Sequence, residues 1–217
     1  MPRRVLLLNL LACLWCCAVL SVRFNLAGHY HYVFMLWNLF LAAIPLGLSL
    51  GLGRINRLAL ALPLLAVWLL FFPNAPYVLT DLIHLNARRS GQVPQWLDLL
   101  MLLSFALVSL WFGFQSLRLV QHWLARRYSR VAGWSAALGT LVLSGFGVYL
   151  GRFLRWNSWD IVQRPHLLLR DIAGRVLDPV QHAQTWGFTV GFGTLLIFGY
   201  LFWISATTPP PAEAKID

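Results

Sequence analysis

The residues of this chain best suited to chemistry lie together in "FFPNAPYVLTDLIHL", positions 71–85. Wound as a helix after Pro76, this stretch sets Tyr77, Thr80, Asp81 and His84 at spacings of three and four. They form one narrow polar seam on a helix otherwise covered by Val78, Leu79, Leu82, Ile83 and Leu85. Asp81 and His84 are a candidate acid/base pair, or two candidate ligands for a metal ion. Asn74 and the amides that follow Pro-Asn-Ala-Pro offer a small anion site at a helix N-terminus. The same residues admit a structural reading, in which Asn74 caps the helix, Asp81 pairs with an arginine and His84 is a polar residue at an interface.

A second set lies in "GRFLRWNSWD", positions 151–160. Arg152, Arg155 and Trp159 share one side if the helix continues. Alternatively, Asn157 and Asp160 form an N-cap box that starts a new turn. Arginine beside tryptophan serves a membrane interface, where guanidinium groups snorkel and indoles sit in the headgroup belt. It also serves phosphate or carboxylate recognition, and it supplies the cation that Asp81 requires.

These residues need elements to position them, and composition says what those are. Of 217 residues, 59% are hydrophobic and 11% charged, a balance that fits lipid rather than water as solvent. The net charge of +10 does not point to nucleic acid, because the arginines sit between apolar runs, where they orient a membrane chain and meet anionic lipid. Cys13, Cys16 and Cys17 all fall in the first apolar run, where neither a disulfide nor a hydrated metal site is expected. That run resembles a signal sequence, but it continues past Cys13 without a polar exit and reads as an uncleaved span.

The chain therefore reads as an all-α membrane protein with about six transmembrane helices, at 5–22, 33–52, 58–72, 97–120, 131–151 and 186–205. Residues 1–206 form a single polytopic domain and 207–217 a disordered polar tail. The third span is too short for a hydrocarbon core of about 30 Å and must continue past its break at Pro73 and Pro76, residues that cannot extend the hydrogen-bond ladder. Near 165–178, an amphipathic interfacial helix carries Leu168, Leu169, Ile172, Ala173, Val176 and Leu177 on one side and Arg170, Asp171, Arg175 and Asp178 on the other. With six spans, the loops after the first, third and fifth share one face. That face collects Asp81, Asp98, Asp160, Asp171 and Asp178 with His29, His31, His84, His166 and His182. Bare arginine clusters such as "HWLARRYSR" mark the other face as cytoplasmic, with both termini on it.

"FFPNAPYVLTDLIHL" and "YLGRFLRWNSWD", in a chain of this size with multiple spans, resemble the Domain of Unknown Function 1361 family of bacterial integral membrane proteins. The likeness runs from the second span to the sixth, and it rests on the strings Asn-Ala-Pro-Tyr and Arg-Trp-Asn-Ser-Trp-Asp. It implies a polytopic helical fold in a bacterial inner membrane, and it implies no reaction.

Three functions remain. The first is binding or transport of a small or lipid-headgroup ligand at a polar site on the outer face, built from Asn74, Tyr77, Thr80, Asp81, His84, Arg152, Arg155, Asn157, Trp159 and Asp160. Six spans without a repeat are thin for a carrier unless the chain forms a homo-oligomer. The second is an interfacial enzyme acting on lipid or lipid-linked phosphate, with Asp81 and His84 as catalytic or metal-binding groups. No nucleophile motif, complete metal triad or glycine-rich phosphate loop accompanies them, and no cofactor is named by the sequence. The third is a scaffold held by an Asp–Arg network. Membrane lipids are the expected partners in all three.

Overall fold

The computed structural model describes residues 2–55, 57–86 (the side chain of Asn86 excepted) and 93–207. Arg88, Arg89 and the polar tail from 208 onward lie outside these residues. The described part is helical throughout: α1 (Arg3–Ala27), α2 (Phe34–Leu52), α3 (Leu58–Phe71), α4 (Asn74–Tyr77), a 3-10 helix (Val78–Asn86), α5 (Gln95–Arg127), α6 (Arg130–Leu154), α7 (Asp160–Gln163), α8 (Pro165–Leu177) and α9 (Ala183–Thr207). Six helical stretches are long and apolar enough to cross a membrane, among them α3 through the 3-10 helix as one stretch, Leu58–Leu85. All six expected spans are present, several of them longer than expected.

Local signals set the ends. Gly28, at φ 66°, closes α1 with its N–H on the Phe24 carbonyl (3.0 Å). Ser129 caps α6 by accepting from the Ala132 amide (3.0 Å). Pro165 starts α8, where a missing N–H costs nothing.

The bundle is arranged around α5. In its most apolar window 61% of the residues are buried, against 22% in α1 and in α9, so α5 forms the axis and those two the rim. Buried ion pairing and amides hold the rim to it: Arg23 to Asp98 near the polar end (3.0 Å), and Asn9 to Gln115 deeper in (3.2 and 3.0 Å). Helices α6 and α9 meet through glycine. A Cβ on Gly145 would come within 2.5 Å of the Thr189 carbonyl, and one on Gly193 within 3.1 Å of the Val142 Cα.

The third span is interrupted where the prolines require it, but its continuation differs from expectation. Phe72, Pro73 and Val78 all keep right-handed helical angles, so the backbone does not unwind. It tightens instead into a 3-10 helix, with about 2.0 Å of rise per residue and three residues per turn. The first of the amides proposed as an anion site is already engaged, since Tyr77 N–H donates to the Pro73 carbonyl (3.0 Å).

The amphipathic helix lies at 165–177, as expected, and the protein covers only part of its apolar side. Leu168 and Ile172 turn toward the protein, whereas Leu169, Val176 and Leu177 are exposed. Asp171 and Arg175, on the polar side as expected, turn partly inward and pair one turn apart (3.9 Å). The cause is Trp156, whose indole N–H donates to Asp171 Oδ2 (2.8 Å) and so fixes the rotation of the helix.

Candidate functional site

The seam on 77–84 takes its shape from the 3-10 winding. With three residues per turn, Tyr77 and Thr80 stack in one column and Asp81 and His84 in the next, instead of drifting around an α-helix. One side chain of α6 spans both columns. Arg152 donates from Nε to Thr80 Oγ1 (2.7 Å) and from Nη2 to Asp81 Oδ1, while its Nη1 lies 3.4 Å from His84 Nε2 and its guanidinium carbon 4.3 Å from the centre of the Tyr77 ring. All four seam residues therefore touch a single guanidinium. Thr80 Oγ1 in turn donates to the Tyr77 carbonyl (2.6 Å).

Asp81 is 1% exposed and both its oxygens are used, since Asn38 Nδ2 of α2 donates to Oδ2 (2.9 Å). The carboxylate thus has an opposite charge and a neutral donor, the two things a buried anion needs. His84 is about one-third exposed, with Nε2 3.9 Å from Asp81 Oδ1. As a metal set the pair is incomplete: among the described residues no three His, Cys, Asp or Glu side chains come together.

Glycines let the break dock against its neighbours. A Cβ on Gly147 would lie 2.7 Å from the Pro73 ring, one on Gly151 3.2 Å from the Tyr77 ring, and one on Gly113 of α5 2.9 Å from the Ala75 methyl. Asn74 then reaches α6's continuation, its Nδ2 donating to the Phe71 carbonyl (2.8 Å) and to Ser158 Oγ (3.0 Å).

The 155–160 turn does not extend α6. Arg155 closes the helix in the left-handed region at φ 61°, with Trp156 N–H on the Leu150 carbonyl (3.1 Å). Its side chain is exposed and forms no hydrogen bond or ion pair with a described residue, so the expected pairing of Arg152 and Arg155 on one ligand is not what the geometry brings together. Asp160 fulfils half of the expected box, accepting from the Asn157 amide (2.7 Å) and from Arg164 Nη2 (2.9 Å). These two donors hold its carboxyl below the usual carboxylate range. Trp159 lies against Trp37 of α2, with ring centres 6.4 Å apart.

Between α2, α4, α6 and this turn is a cavity of about 170 Å3. Its polar and aromatic walls are Trp37, Asn38, Asn74, Tyr77, Trp156, Asn157 and Ser158. Leu41, Leu70 and Leu150 supply apolar wall, and Leu168 of α8 adds a further contact. Among the described residues, no charged side chain lines it. Asn38 and Tyr77 belong both to this wall and to the shell of the Asp81–Arg152 pair, so the ion pair lies directly behind the cavity.

Sequence reasoning missed Asn38, Ser158 and the pairing of Arg23 with Asp98. Asn38 is the lone amide in the apolar run of α2, and an intramembrane amide needs a partner. Ser158 carries no signal beyond its neighbours. Arg23 and Asp98 repeat the local chemistry of Arg152 and Asp81, with the Arg23 guanidinium 4.5 Å from the Tyr32 ring and 3.3 Å from His29 Nδ1. The Tyr32 hydroxyl links the two clusters by donating to the His84 carbonyl (3.1 Å).

A family model described as Protein of unknown function (DUF1361) matches residues 37–198, from Trp37 on the cavity wall to Phe198 in α9. It takes in both halves of the Asp81–Arg152 pair but not Arg23. No curated protein and no solved structure matches the chain.

Proposed function

The chain belongs to the family described as Protein of unknown function (DUF1361), and from that premise, which carries no reaction, we propose that it is a multi-pass membrane protein binding an uncharged, hydroxyl-bearing headgroup in the cavity beside Asn74 and Tyr77. The membrane is the bacterial inner membrane, with both chain ends in the cytoplasm and the cavity on the outer side.

The observation that carries this reading is the lining of the cavity. Its charged neighbours are sealed behind it as an ion pair, which leaves aromatic faces, amides and a hydroxyl. The Tyr77 hydroxyl and the side-chain carbonyls of Asn38 and Asn74 have no hydrogen-bond partner among the described residues. Aromatic rings beside such acceptors suit a sugar or glycerol moiety, whose C–H face stacks while its hydroxyls donate. The leucines on the wall suit the start of a lipid tail. Asp81, with both oxygens engaged, is poorly placed as a general base, so the Asp–Arg network has the structural role and the cavity the binding role.

The test uses the full-length protein in detergent, with lipid adducts measured by native mass spectrometry. A monoglycosyl diacylglycerol is the probe and a phosphatidylcholine of matched chains the comparator. The glycolipid is retained in preference, and Trp37→Ala and Tyr77→Phe each weaken retention roughly three- to tenfold, the effect of one stacking or hydrogen-bonding contact. Equal retention of the two lipids, or indifference to both substitutions, rejects the proposal. Trp37 is half-exposed and Tyr77→Phe keeps the ring under Arg152, so neither variant removes a support of the fold.

A further inference from the structure

The face that carries the chain ends has a cavity of its own. It measures about 320 Å3 and opens between the C-terminal half of α5, the start of α6 and the end of α9. Arg118, Gln121, His122, Arg130, Trp134 and Ile204 line it, and among the described residues no carboxylate does. The length of a span separates it from Asp81 and Arg152.

Its polar groups point to one kind of ligand. Gln121 is 6% exposed, and its Oε1 accepts the Tyr200 hydroxyl (2.6 Å). That bond fixes the amide so that Nε2, a donor, is the group left over. Nε2 has no partner among the described residues, yet it is not sealed in protein, because the side chain borders the cavity. His122 is held by its Nδ1, which donates to the Arg118 carbonyl (2.7 Å); Nε2 of the neutral ring is then an acceptor, so the donors facing an oxyanion are Gln121 Nε2 and the arginines. Arg118 is half-buried in the same wall. Arg130 stands exposed at the rim.

A concave site with guanidinium groups, a buried amide donor and, among the described residues, no acidic wall selects an oxyanion, and phosphate most readily. We propose that this cavity binds a phosphate group, the chemistry shared by an anionic lipid headgroup in the adjacent leaflet and a phosphate ion or ester in solution. Basic pockets between spanning helices are suited to this, with Trp134 and Ile204 supplying the apolar flank that continues into the bilayer.

The experiment keeps the full chain and reads two probes. Native mass spectrometry compares retention of phosphatidylglycerol with that of phosphatidylcholine, and calorimetry in phosphate-free detergent buffer titrates inorganic phosphate. Arg130→Gln removes one charge at an exposed position. Gln121→Glu keeps the acceptor for Tyr200 while replacing the donor by an acidic oxygen. Arg54→Gln removes a charge on the same face but outside the cavity.

Preferred retention of phosphatidylglycerol, weakened roughly fivefold by Arg130→Gln and at least as much by Gln121→Glu but unchanged by Arg54→Gln, supports the site with a lipid as source. Phosphate binding with the same pattern of variants, without lipid preference, supports it with a soluble source. Neither probe bound, or Arg54→Gln as damaging as Arg130→Gln, overturns it and leaves only a diffuse positive belt. Should Gln121→Glu fail to fold, the comparison of Arg130→Gln with Arg54→Gln decides alone.

Discussion

Arg152 uses three edges and one face of its guanidinium on a single stretch of 3-10 helix, which makes the Asp81–Arg152 contact a clamp between α6 and the third span. Removing one partner leaves the other as an uncompensated charge in a site where Asp81 is 1% exposed, at a cost of about 3–5 kcal/mol. Asp81→Asn and Arg152→Met should each lower stability by that order in detergent unfolding. The double variant should lose less than their sum, by about 1–3 kcal/mol, because neither charge is then stranded. An Asp81→Asn protein of unchanged stability would argue instead for a catalytic carboxylate. The seam was legible in the sequence because four polar side chains stand out on an apolar helix. Its partner was legible only as a choice of two arginines: the turn that puts Arg155 into the left-handed region depends on how 156–160 folds back, and no spacing reveals it. Asn38 was visible as a residue but not as a contact, since a lone amide in a span fits any helix pair.

At the scale of elements, the proline break is held by what its neighbours lack. The Pro73 ring fills the space that a side chain at Gly147 would need, and the Tyr77 ring lies on Gly151 one turn further along α6. Position 139, on the same helix, has nothing within 4 Å of a built Cβ. Gly147→Ala should therefore push the rigid ring and α6 apart and destabilise by about 1–3 kcal/mol, the usual cost of overpacking. Gly139→Ala should be neutral or slightly stabilising through helix propensity. Thermal unfolding of the two variants side by side checks this, and equal midpoints would mean that the break is not wedged against α6. Length arithmetic recovered the interruption and the need for the span to continue. It could not recover the 3-10 continuation, because α and 3-10 windings share the same apolar composition and the choice between them rests on tertiary packing, here against α5 and α2.

For the whole molecule, the two ends of the bundle differ in what their arginines do, and this bears on orientation. By sequence the basic residues divide almost evenly between the faces. The fold changes their weight, because topology is set by basic residues in short loops rather than by those locked inside a bundle. Arg23 and Arg152, counted on the polar face, are helix residues almost wholly withdrawn into ion pairs at 1% and 12% side-chain exposure. On the other face Arg54, Arg57, Arg126, Arg127 and Arg130 sit in or beside short connections at the surface, and Arg118 alone is half-buried. Arg155, Arg164 and Arg170 stay exposed on the polar face, so the orientation proposed above, with the other face and both chain ends in the cytoplasm, rests on the withdrawal of Arg23 and Arg152. Single cysteines read the result directly, in a background with Cys13, Cys16 and Cys17 changed to serine. Val180→Cys, before α9 on the polar face, replaces a residue 85% exposed, and Tyr128→Cys, between α5 and α6, one 57% exposed. In intact cells an impermeant maleimide should label Val180→Cys, whereas Tyr128→Cys should react only after the membrane is opened. The reverse pattern would turn the molecule over, placing the neutral cavity inside and the arginine-lined one outside, while leaving the geometry of both unchanged.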